Sequence, residues 1–145
     1  MSAAPISDEL IKAYGDTDYV VLNTAPFTLK IGKRSPELQE IYERHRVRSA
    51  AFLTAWNPYS QLRAADENAR RNEELADELK RRGLKALPAV GRDPSGKWAG
   101  EESFLVLGIA PEIASTLGIQ FEQNGYLWCG ADAIPELVLL RETAA

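Results

Sequence analysis

Cysteine and histidine are nearly missing from this chain: 145 residues contain one of each, Cys129 and His45. A lone cysteine excludes an internal disulfide and any cysteine-built metal cage. A lone histidine excludes paired-histidine metal sites and argues against Ser-His-Asp or Cys-His catalysis. No cofactor or metal is therefore expected. There is no apolar run near the roughly 20 residues that a membrane span needs. The opening Met1-Ser2-Ala3-Ala4-Pro5 does not lead into a signal-peptide pattern, so a cytoplasmic protein is expected. Positive charge is not in excess either. The net charge is −4, which predicts no general attraction to nucleic acid or to an anionic membrane. The local group Arg44, Arg46 and Arg48 reads as solvated surface. Repeats, linkers and low-complexity segments are absent.

What is present fits one α+β domain over residues 1–145, long enough to bury roughly 70% of its unfolded surface. Residues 1–49 read as helix, hairpin and helix. Ser7 caps a short helix over about 8–14, Tyr19–Leu22 and Phe27–Ile31 form two strands, and Ser35-Pro36 starts a second helix. His45 falls on the buried stripe of that helix with Leu38, Ile41 and Tyr42, as a core-edge residue. Residues 50–130 carry the remaining core. A strand at 50–56 stops at Asn57-Pro58, and a long helix over 63–82 ends at Gly83. Strands follow at 84–90 and 103–109, then a short helix at 111–117 and a strand at 126–129. Pro88 predicts a sheet-edge position for the first of these strands. Residues 131–145 add a last strand at 137–140 and a tail.

The order strand, helix, strand, strand, helix, strand from residue 50 onward predicts a ferredoxin-like (βαββαβ) mixed sheet. That winding makes 50–56 an antiparallel neighbour of both 103–109 and 126–129. Antiparallel pairing then sets Trp56-Asn57 beside Glu101-Glu102-Ser103 and beside Gln123-Asn124, with Gly91-Arg92 leaving at the same rim. The long helix contributes to this rim too. Its apolar stripe through Leu79, Ala76 and Leu75 continues backwards into Asn72 and Asn68. Burying two unpartnered amides would cost roughly 1–3 kcal/mol each, so loop backbone or a ligand must satisfy them. The 103–109 strand is apolar on both alternating faces, which requires the N-terminal hairpin and helix, or a second subunit, to cover the second face. A homo-oligomer is compatible with that pattern.

Several spaced motifs carry a resemblance: Leu29-Lys30-Ile31-Gly32, Thr54-Ala55-Trp56-Asn57-Pro58, Glu67-Asn68, Trp98 with Glu101-Glu102-Ser103, and Gln123-Asn124 followed by Trp128. In this combination the chain resembles a bacterial domain of unknown function, family 3293, from about Tyr14 to Leu140. The resemblance implies no activity. Gly125 stands where the family pattern has alanine, a departure that bears on close packing at that point.

The candidate site is the rim built from Trp56, Asn57, Gln61, Asn68, Asn72, Glu102, Ser103, Gln123 and Asn124. Amides and tryptophans beside a carboxylate suit recognition of an unknown small polar molecule or a protein segment. The alternative is an enzyme, a hydrolase or isomerase with Glu102 as general acid or base. Ser60 and Ser103 have no histidine in the adjacent sequence to activate them. A second alternative is an inhibitor or immunity-type interaction protein, in keeping with small size and acidic charge. Against all three stands the plain structural reading, in which the asparagines only fix the turn after the strand.

Overall fold

A computed structural model of the protein describes residues 4–144. Capping chemistry places the N-terminal helices where the sequence suggests. Helix α1 (Asp8–Asp16) begins at Ser7, whose hydroxyl accepts from Leu10 N at 3.2 Å. Helix α2 (Pro36–His45) begins at Ser35, which accepts from Leu38 N at 3.1 Å. Strands β1 (Asp18–Val21) and β2 (Phe27–Leu29) form the hairpin between them. Strand β3 (Ala50–Leu53) is followed by a tight turn at Pro58–Ser60, then by helix α3 (Ala65–Arg81). Strands β4 (Lys85–Arg92) and β5 (Glu101–Leu107), helix α4 (Pro111–Gln120), and strands β6 (Gly125–Cys129) and β7 (Pro135–Leu139) complete the chain.

The seven strands form one sheet in the order β2-β1-β4-β5-β3-β6-β7, curled into a half-barrel. The sheet is antiparallel throughout rather than mixed: every neighbouring pair runs in opposite directions. β3 and β4, which run the same way, are separated by β5 and never pair. β4 is also interior, not an edge, because β1 pairs with its outer side. Pro88 is accommodated there by register. β1 ends at Val21 opposite Ala89, and the Pro88 carbonyl accepts from Leu22 N at 2.8 Å, so its missing N–H faces past the end of β1.

Both faces of the central strands are covered within one chain. On one face α2 packs Leu38, Ile41 and Tyr42 against Ala50, Phe52, Leu105, Leu107 and Leu127. On the other, α3 and α4 bring Leu75, Leu79, Ala114 and Leu117 onto Ala51, Leu53 and Val106. The sequence suggested that the hairpin lies over a face; instead it lengthens the sheet beyond β4, and α2 covers this part of the core. Residues after β2 then reach the start of β7, where Gly32 N donates to Pro135 O at 2.8 Å, so the outer strands approach each other. At the N-terminus, Ile6 is fully buried and is clasped by the C-terminal tail: Ile6 N donates to Glu142 O and Ala144 N to Ile6 O, each at 2.8 Å.

Candidate functional site

Strand alternation and register bring the separate polar segments to one rim. β3 pairs Phe52 with Leu127 and Leu53 with Phe104, while β4 pairs Gly91 with Glu101. Beyond Leu53 the chain turns through Asn57, whose φ of 46° is left-handed, a conformation asparagine tolerates better than most residues. Tyr59 (φ 53°), Ser60 (φ 60°) and, across the rim, Glu122 (φ 58°) are left-handed as well. Tyr59 N donates to Glu122 O at 2.7 Å, which ties two of these turns together. Side chains with a Cβ adopt such angles at a cost, of order 1–3 kcal/mol each, met by the surrounding structure.

The two core-facing asparagines of α3 supply that support. Asn72 accepts from Ala55 N at 2.8 Å through Oδ1 and donates Nδ2 to Glu102 O at 2.7 Å. Asn68 accepts from Asn57 N at 2.8 Å and donates to Asn57 Oδ1 at 2.8 Å. Asn57 Oδ1 also accepts from Arg63 N at 3.0 Å, and Asn57 Nδ2 donates to Glu101 Oε2 at 2.8 Å. Arg71 bridges Ala55 O and Phe121 O at 3.1 and 2.8 Å, and Gln123 Nε2 donates to Trp56 O at 3.2 Å. The buried polar residues among those described are Thr17, Ser35, Asn57, Asn68, Asn72, Ser103 and Asn124, and five of these belong to the predicted rim. None of their side-chain atoms is buried without a partner.

This lattice forms one wall of a cavity of about 540 Å³. The floor is continuous with the α2-covered core: Phe52, Leu127, Leu137 and Tyr19, the last edge-on to Phe52 with ring centroids 5.1 Å apart. Trp56 and the 98–100 loop with Trp98 make the sides. Helix α1 is the roof, presenting Leu10, Ala13, Tyr14 and Thr17. It has an apolar stripe yet buries no residue, so that stripe faces the cavity rather than the core. A polar latch holds the roof down. Tyr14 and Ser60 hydroxyls lie 2.7 Å apart, Asn124 Nδ2 donates to Tyr14 Oη at 2.9 Å, and Asn124 Oδ1 accepts from Arg141 Nη1 at 2.5 Å. Arg141 also stacks 4.9 Å from the Tyr59 ring centroid and donates to Ala4 O.

Glu101 is the only carboxylate on the cavity wall among the described residues. Burial pushes its carboxyl above the ordinary range, and the hydrogen bond from Asn57 only partly offsets this. It forms no ion pair among the described residues. Burial likewise raises Tyr19, with Glu101 adding a smaller contribution of the same sign. Cys129 is buried in the core, where desolvation pushes its thiol up to about 12, and it takes no part in the site.

Of the predicted site residues, Trp56, Asn57, Asn68, Ser103, Gln123 and Asn124 line the cavity. Asn72 lies behind the wall, with both amide atoms bound to backbone. Gln61 and Glu102 are exposed and line no part of it. Glu102 is one residue out of phase. Ser103 is buried on the cavity side, so a pleated strand puts Glu101 beside it and Glu102 on the opposite face. Reasoning from sequence missed Leu10, Ala13, Tyr14 and Thr17 of the roof altogether. The amphipathic spacing in α1 was the available signal, but it carries no information about which surface the helix covers. Among the described residues no three His, Cys, Asp or Glu side chains are grouped to hold a metal ion. No described helix is long and apolar enough to cross a membrane.

Fold and site together define a single-domain α+β protein with a ligand-sized, mainly apolar cavity ending on one carboxylate. Residues 53–125, just over half of the chain, match the family described as "Protein of unknown function (DUF3293)", and the chain belongs to that family. That span runs from the end of β3 to the start of β6 and contains the Asn57–Asn68–Glu101 lattice. Comparison with curated proteins and with solved structures found no significant match.

Proposed function

We propose that the protein is a recognition module that holds a small organic molecule in the cavity under α1. The observation that carries this reading is a mainly apolar space of about 540 Å³ whose wall includes one partly buried carboxylate without an ion-pair partner among the described residues. Cavities of about 300–1,000 Å³ with few, convergent polar groups are the ordinary form of small-molecule sites. The asparagines are largely consumed in holding the walls, so the ligand's polar end meets Glu101 and its remainder meets Trp56, Trp98 and the apolar floor. The order β4-β5-β3-β6 around α3 and α4 supports a ferredoxin-like core lengthened by the hairpin and by β7. A net charge of −4 favours partners other than nucleic acid or an anionic membrane, and a cytoplasmic location is part of the same proposal.

A thermal-shift screen of small metabolites, run on the wild type and on Ala13→Trp, tests the reading. A bulky side chain on α1 fills the space beneath the roof. Ligands that raise the wild-type melting temperature by mass action should leave the Ala13→Trp protein unmoved. A screen without a stabiliser, or one whose hits act equally on both proteins, contradicts recognition in this cavity.

A second reading, catalysis, is favoured by one observation: burial holds the Glu101 carboxyl above its ordinary range, towards the region where a carboxylate serves as general acid or base. The role that the sequence suggested for Glu102 then passes to its neighbour. The Ser60 hydroxyl meets the Tyr14 hydroxyl and the Asn124 amide at 2.7 and 3.3 Å, and neither is the histidine or carboxylate base that would activate it. Turnover abolished in Glu101→Gln, with binding retained, would decide for catalysis.

A further inference from the structure

We propose that the molecule taken up by this cavity is a protonated amine with an apolar or aromatic body. The inference rests on the recognition reading above and adds the ligand's charge. Glu101 uses one oxygen, Oε2, to accept from Asn57 Nδ2 at 2.8 Å. Its other oxygen accepts no hydrogen bond among the described residues, yet it is not among their buried atoms lacking a partner, so it is accessible on a residue that lines the cavity. A charged carboxylate in a mainly apolar space is costly unless paired, and no Lys, Arg or His among the described residues pairs with it. An ammonium group supplies what the site lacks: a positive charge together with N–H donors aimed at the unused oxygen.

The walls fit the same chemistry. Trp56, Trp98, Tyr14 and Tyr19 surround the space, and aromatic faces attract a cation by their quadrupole while accepting an apolar body along their length. Arg63 also lines the cavity, which makes an anionic ligand the competing possibility. Arg63 is exposed at the mouth, however, whereas Glu101 sits partly buried on the wall. An anion drawn in by Arg63 would meet Glu101 without compensation.

Three probes of matched size separate these cases: 2-phenylethylamine, 2-phenylethanol and phenylacetate, each titrated calorimetrically at neutral pH and low salt. The amine should bind about tenfold or more tighter than the alcohol, a difference of about 1.4 kcal/mol, and the carboxylate weakest of all. In Glu101→Gln the amine should fall to the affinity of the alcohol, and the alcohol should be unchanged. Equal binding of amine and alcohol by the wild type, or preference for the carboxylate, overturns the cation inference while leaving recognition standing. An amine preference that survives Glu101→Gln also overturns it. If none of the three probes binds, the recognition reading falls with it. The wild-type comparison needs no variant to fold.

Discussion

Glu101 and Glu102 differ by one position on β5 and by their whole surroundings. One faces the cavity and is partly desolvated, while the other is exposed. Strand periodicity decides between them, and it was available in the sequence: Ser103 and Glu102 cannot share a face of a strand. The asparagine stripe was legible for the same kind of reason, since residues four apart on a helix point the same way, and Asn68 and Asn72 are 1% and 5% exposed. These two classes of residue should respond oppositely to substitution. Glu101 is raised in the folded protein, so its protonated form is the one that folding favours. That contribution is fully present below the unfolded carboxyl value and is lost as pH rises through the folded one. Glu101→Gln should therefore melt above the wild type at neutral pH, with the gap closing as acid protonates Glu101. Asn72→Ala should instead cost on the order of 2–3 kcal/mol at any pH, because Ala55 N and Glu102 O lose their partner. Urea denaturation across pH measures both. A Glu101→Gln protein less stable than wild type at neutral pH would make that carboxylate a structural residue.

At the scale of elements, helix starts and strand cores could be read from local chemistry: Ser7 and Ser35 caps, the proline at the first position of α2, and Gly83 with φ +70° just after α3. Placement of the hairpin could not. Its pairing with β4 joins residues some seventy positions apart, and nothing local in Tyr19–Leu22 distinguishes a strand that extends a sheet from one that lies across it. Pro88 pointed towards an edge because the register that excuses it belongs to β1 rather than to β4. Gly125 shows the converse, a single residue whose role only packing reveals. At this first residue of β6 an added Cβ would come within 2.5 Å of the Val138 carbonyl oxygen on β7. Backbone cannot yield as a side-chain tip can. Gly125→Ala should destabilise this protein by about 1–3 kcal/mol in equilibrium unfolding. An unchanged midpoint would mean that β6 and β7 lie farther apart than described.

For the whole molecule, the seven-stranded sheet separates two chemically distinct sides, and the three tryptophans are divided between them. Trp56 and Trp98 line the cavity, whereas Trp128 packs with the α3 and α4 core. The division arises from alternation along β6 and from the rim position of the other two, so it follows from the fold rather than from any one contact. It gives the protein an internal control. The account's central claim is that the space under α1, ending at Asn57 and Glu101, is where a small molecule enters. The most direct measurement is a nitrogen-resolved magnetic resonance titration with 2-phenylethylamine, following the three indole N–H signals and the side-chain amides. The account predicts that Trp56, Trp98 and Asn57 shift together and saturate while Trp128 stays fixed. Movement of Trp128 with Trp56 and Trp98 unmoved would contradict it.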